Sequence, residues 1–174
     1  VRSIGYYGIL GKLDKVTQAK IAKFLFSHEQ YDLSTKLYEQ CDKGGTLGFD
    51  DYLYYGPAVS SAFPDIQGAE RGLKLIEKSR SMAKKKVEDN ADKLDKPENQ
   101  KEHLEGQKEY SYATQQAASM RTWIWSLTRE ENDLEKVIFE LRESIRLIEE
   151  LRDKGVEDIP AGRYAHNLLR YTMF

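Results

Sequence analysis

The chain has 174 residues, of which 40% are hydrophobic and 32% charged, and its formal net charge is −2. A charge so close to balance gives no global argument for nucleic acid or an anionic membrane, and the charged fraction suits long, solvated helices. The single cysteine, Cys41, excludes an intrachain disulfide, and no apolar run approaches the roughly 20 residues of a membrane-spanning helix.

No N-x-S/T acceptor occurs either, which together with the lone cysteine fits a reducing or organellar interior. A start at Val1 is compatible with a removed targeting segment, a trimmed initiator or a chosen boundary. The expected location is intracellular, and the first of these alternatives would point to an organelle such as the mitochondrion.

Residues 1–14 place Gly5, Gly8 and Gly11 among Ile4, Tyr6, Tyr7, Ile9 and Leu10. Glycine disfavours a helix, so the stretch is expected to be an apolar, aromatic arm docked on its own core or on a neighbour. Two short helices follow, near 15–27 and 31–42. Ala22, Leu25, Tyr31, Ser34, Tyr38 and Cys41 resemble one tetratricopeptide unit, in which small and large residues alternate where two helices interlock. The same positions also suit an ordinary helical hairpin, and the sequence pattern offers no second copy.

The segment Gln40–Asp51 resembles a calcium-binding EF-hand loop, and Gly45 to Tyr52 is similar to the penta-EF-hand pattern. Gly45 takes the sixth position and Leu47 the apolar eighth, while Asp42 and Asp51 are the carboxylates the resemblance offers to calcium. Gln40 stands at the first ligand position and Asp51 at the twelfth, where a glutamate would bind through both oxygens. A glycine turn between two helices is the other reading. Residues 49–64 then concentrate Phe49, Tyr52, Tyr54, Tyr55 and Phe63 before Pro64, a composition suited to interfaces as well as cores.

From Ile66 the apolar residues follow a heptad-like seam through Ala69, Leu73, Ile76, Ala83, Val87 and Leu94, interrupted by Arg80 and Asn90. Polar seam residues cost stability and fix register. Lys84, Lys85 and Lys86 form a solvated or phosphate-binding face on this helix. Pro97 interrupts it, and a second long helix is expected from about Asn99 to Leu127, packed through Tyr110, Ala113, Ala117, Met120, Ile124 and Leu127. Trp123 and Trp125 diverge by about 200° on such a helix, and Trp125 is taken as the one facing a partner.

The sharpest helical signal is Thr128–Gly155. Thr128 and Glu131 have capping-box spacing. Leu134, Ile138, Leu141, Ile145 and Ile148 form the expected seam, and Gly155 suits a left-handed stop. Phe139 and Leu147 lie off that seam. The tail 163–174, with Tyr164, Leu168, Leu169, Tyr171 and Phe174, is apolar enough to dock on the bundle or on another chain.

The expected fold class is therefore all-α. An aromatic-rich region with short helices (1–64) precedes a long antiparallel helical bundle (65–155) and a docking tail (156–174). The histidines His28, His103 and His166 have no metal or catalytic spacing, and no phosphate-binding loop or nucleophile elbow is present. The expectation is a non-catalytic accessory subunit of a multiprotein assembly, without cofactor or metal. It binds other protein subunits, not nucleic acid, through Tyr52, Tyr54, Tyr55, Trp125, Phe139, Leu147 and Phe174; a homo-oligomer fits as well. An inhibitor or immunity-type protein that occludes one partner is the alternative, and a weak calcium-responsive binder a third.

Overall fold

The computed structural model describes residues 12–92 and 94–156, together with Leu10, Leu169 and Thr172. The described residues form six α-helices and no strand: α1 (Lys15–Ser27), α2 (Tyr31–Lys43), α3 (Phe49–Ala62), α4 (Ile66–Ala91), α5 (Pro97–Thr128) and α6 (Glu131–Asp153). The protein is an all-α bundle, and its long antiparallel helices are α4, α5 and α6. The N-terminal arm and the C-terminal tail fall largely outside the described residues, although Leu10 packs on the first core cluster.

Local chemistry explains most of the boundaries. Asp14 and Asp65 cap α1 and α4, accepting from the amides of Thr17 (2.9 Å) and Gly68 (2.8 Å). Pro97 opens α5 at the first helical position, where its missing N–H costs nothing. Gly45 and Gly155 take positive φ (64° and 75°) after α2 and α6. In each case an amide three positions past the helix reaches back to a carbonyl of the last turn: Thr46 to Cys41 (3.4 Å) and Val156 to Leu151 (3.1 Å). The stop expected at Gly155 is the one the chain uses.

The expected start of α6 is corrected. Thr128 is the last residue of α5, Arg129 turns the chain at φ 57°, and α6 begins at Glu131. The Thr128 hydroxyl accepts from the Glu130 amide (3.3 Å) and donates to Asp133 (2.9 Å), so it steadies the reversal and caps no helix.

Each helix packs chiefly on the next one in sequence. Alternate helices also touch: α1 with α3 and α3 with α5 through packing, α2 with α4 and α4 with α6 through ion pairs. Three hairpins therefore stand side by side in two layers. Phe49, the start of α3, falls about one 34-residue tetratricopeptide period after Lys15. The second hairpin repeats neither the length, its second helix having 26 residues against 13, nor the residues. In the first, buried Ser34 donates to the Ala22 carbonyl (2.8 Å); in the second, glycines bring α3 and α4 together.

Three apolar clusters form the core. Ala22, Leu37, Tyr38, Cys41, Tyr55 and Val59 join α1, α2 and α3. Ala69, Ile76, Ala117, Met120 and Ile124 join α4 to α5, as their spacing predicts, while Ile66, Leu94 and Leu127 at the ends of those seams remain exposed. Ala118, Val137 and Leu141 join α5 to α6. The buried stripe of α6 runs through Val137, Leu141, Ser144, Ile148 and Leu151, so only Leu141 and Ile148 of the expected seam are fully buried.

Candidate interaction surfaces

The aromatic stretch on α3 divides by burial. Tyr55 belongs to the core, stacked on Tyr38 with ring centroids 5.3 Å apart, and burial raises the pKa of both phenols. It cannot present a surface to a partner, and the expectation for it is corrected. Its ring points inward because α3 places positions 55 and 59 against α2. Tyr52 is half-buried; its hydroxyl donates to Asp42 (2.5 Å), and Lys78 sits 4.9 Å from its ring centre. Burial, with the neighbouring Asp42 carboxylate, pushes its pKa up to about 12. Tyr54 is half-buried between the edge of Phe26 (5.9 Å) and the Lys23 ammonium (4.1 Å).

Within the EF-hand-like segment both carboxylates already have partners in the chain. Lys78 donates to the two oxygens of Asp42 (3.3 and 3.2 Å), and Asp51 accepts from the Gly48 amide (2.9 Å) at the start of α3. Among the described residues no group of three or more metal-ligating side chains comes together.

Of the two tryptophans, the outward one is Trp123, 46% exposed; Trp125 packs against the Ala118, Val137 and Leu141 cluster, with the Arg129 guanidinium 4.7 Å from its ring. The expectation that Trp125 faces outward is thus reversed. The reason is that α5 packs on α4 through one face and on α6 through another, and position 125 falls on the second. Phe139 is 66% exposed on α6. Phe174 lies outside the described residues.

Sequence reasoning missed Glu140, which is 3% exposed in the middle of the bundle. Its carboxylate accepts from Arg80 of α4 (2.7 Å) and Arg121 of α5 (3.1 Å), and both guanidiniums also approach Glu77 (3.0 and 3.7 Å). Burial alone would lower the Arg80 pKa, but Glu140 and Glu77 outweigh it and raise the value. Four charges from three helices thus lock one register. Arg80 stood out in the sequence as a break in the α4 seam; its partner did not, because the α6 stripe is turned from the one expected.

Beyond this lock a groove of about 280 Å³ opens between the C-terminal halves of α4 and α6. Val87, Tyr110, Leu147 and Leu151 supply apolar lining, so Leu147 alone of the expected partner residues borders it. One end is closed by a chain of polar contacts: His103 Nδ1 to the Val87 carbonyl (3.0 Å), Gln107 Nε2 to His103 Nε2 (3.1 Å) and Lys154 Nζ to Gln107 Oε1 (3.0 Å).

No protein-family model matches the chain, and no curated protein or solved structure matches it. No helix among the described residues is long and apolar enough to cross a membrane.

Proposed function

We propose that the chain is a non-catalytic structural subunit of a larger protein assembly, held to its neighbours by side chains that its own fold leaves uncovered. The observation that carries this reading is Phe139, 66% exposed on a helix whose inner face is already packed. Scattered apolar residues are ordinary on any surface. Large aromatics are less so, and Phe24 (60%) and Trp123 (46%) repeat the pattern on α1 and α5. Interfaces are enriched in such side chains, and a few of them carry most of the binding energy.

The test is gentle purification of the tagged chain from its native cell, with stoichiometry read by mass spectrometry. The reading expects a fixed-ratio complex that Phe139→Ser or Trp123→Ser depletes while the helical circular dichroism is unchanged. Recovery alone would overturn it. Recovery with one small partner would replace it with the inhibitor reading.

A further inference from the structure

We infer that the hydrogen-bonded chain from Lys154 through Gln107 and His103 to Val87 is a proton-sensitive latch. It ties the end of α6 to α5 while the His103 ring is neutral and releases it when the ring is charged. The inference is independent of the subunit reading. Because α4 and α6 both run antiparallel to α5, their C-terminal ends meet near the start of α5. His103 and Gln107 stand about one turn apart there and share a face of α5. From that face His103 reaches α4, and Gln107 reaches Lys154 at the end of α6.

The two ends of the chain fix every proton between them. The Lys154 ammonium can only donate, so the atom facing it at 3.0 Å is the Gln107 amide oxygen. The Gln107 amide nitrogen then points at His103 Nε2, 3.1 Å away. That nitrogen also can only donate, so Nε2 carries the lone pair. The proton of the neutral ring therefore sits on Nδ1, which donates to the Val87 carbonyl at 3.0 Å. A second proton, on Nε2, sets donor against donor. The bond that relieves this is charge-assisted and strong: the Gln107 amide turns over and offers its oxygen to the ring. Its NH2 group then faces Lys154, whose exposed ammonium takes water instead, and the tie between α5 and α6 is gone.

The charged groups at this end of the bundle are Lys86 and Glu88 from α4, Glu102 and Glu109 from α5, and Glu150 and Lys154 from α6. Lys86 bonds Glu109 (3.0 Å) and approaches Glu102 (3.7 Å). Among the described residues no carboxylate bonds the His103 ring, whose two partners are uncharged. A proton taken up there meets no counter-ion in contact, and the rearrangement falls on Gln107. Histidine is the side chain that ordinarily changes charge between about pH 5 and 8, which suits such a device.

The test uses the full chain, isotope-labelled for NMR. At neutral pH the His103 ring should show the Nδ1–H tautomer, and a cross-peak should join the Lys154 ε-methylene to the Gln107 side chain. As acid charges the ring, the Gln107 side-chain amide signals should move in step with it, and the cross-peak to Lys154 should be lost. His28, whose Nδ1 lies 2.9 Å from the Phe24 carbonyl, is the control; Gln107 and Lys154 should not follow its titration. In Gln107→Met, with helical circular dichroism unchanged, the Lys154 signals should no longer follow the His103 ring. A neutral ring protonated on Nε2 would overturn the inference, as would a Lys154 cross-peak that survives when the ring is fully charged. A Lys154 response that persists in Gln107→Met would assign the effect to plain charge repulsion and overturn the latch as well.

Discussion

A Cβ built on Gly56 would lie 2.7 Å from the carbonyl oxygen of Gly72, and one built on Gly72 would lie 2.7 Å from the carbonyl oxygen of Gly56. The two helices α3 and α4 touch backbone to backbone at this pair. In most helices Gly→Ala gains about 1 kcal/mol of propensity. Here the obstacle is main chain, which cannot swing aside, so overpacking of about 1–3 kcal/mol prevails. Gly56→Ala and Gly72→Ala should each lower the thermal midpoint. The double variant should cost less than the two effects added, because the first methyl already separates the helices. Denaturant unfolding of the three variants measures this, and a stabilised single variant would refute the contact.

The Glu140 lock makes an asymmetric prediction. Glu140→Ala leaves two guanidiniums with only Glu77 to share, and breaking a buried pair typically costs about 3–5 kcal/mol. Arg80 and Arg121 keep roughly a quarter of their side-chain surface in water and can turn outward, so the low end, about 3 kcal/mol, is expected. Arg80→Met with Glu140→Leu and Arg121→Leu should recover most of that loss, because a packed apolar set needs no desolvated charge. Chemical denaturation distinguishes the two outcomes.

How much of this was legible beforehand depends on whether one face or two were in play. The boundaries of α1 and α2 follow from caps and spacing that act within a few residues, and the α4 seam from a single apolar stripe. The faces of α5 and α6 were harder. Helix α5 is sandwiched, so Ala117 packs with the α4 cluster while its neighbour Ala118 packs with α6, and a one-stripe reading misses the second face. On α6 the stripe includes Ser144 and neighbours Glu140, polar residues that periodicity arguments discard. Partner surfaces were least legible, because Tyr52, Tyr54 and Tyr55 look alike in sequence and only packing separates the core ring from the half-buried ones.

The tyrosines give a pair of opposite expectations. Among the described residues the hydroxyls of Tyr38 and Thr35 are buried without a hydrogen-bond partner, so Tyr38→Phe should stabilise the protein by about 1 kcal/mol. Tyr52→Phe should destabilise it, since its hydroxyl donates to the Asp42 carboxylate. The folded state raises the pKa of Tyr38, Tyr52 and Tyr55 above the ordinary value of 10.0. A raised value means stability that is complete below pH 10.0 and lost as pH climbs above it. The share of tyrosinate absorbance that belongs to these three should therefore rise late and together with unfolding; its loss in Tyr38→Phe, Tyr52→Phe and Tyr55→Phe identifies it, and early, non-cooperative ionisation of these phenols would contradict the burial.

At acid pH the turn between α5 and α6 should weaken. Hydrogen bonds from Lys136 and Thr128 hold the Asp133 carboxyl below its ordinary value of 3.8. A lowered value means stability that is present above pH 3.8 and lost as pH falls through the folded value. Amides at the start of α6 should lose hydrogen-exchange protection below about pH 4, ahead of those in α2. Asp133→Asn should exchange faster at neutral pH and show little further change on acidification.

Packing that passes from each helix to its successor has a consequence for synthesis. Most packing contacts join segments that leave the ribosome close together in time; the ion pairs of α2 with α4 and of α4 with α6 are added as the later helix arrives. The first hairpin can close on itself while the second is still being made, and each later one finds a finished surface to lie against. Pulled from its ends, the same chain would come apart hairpin by hairpin.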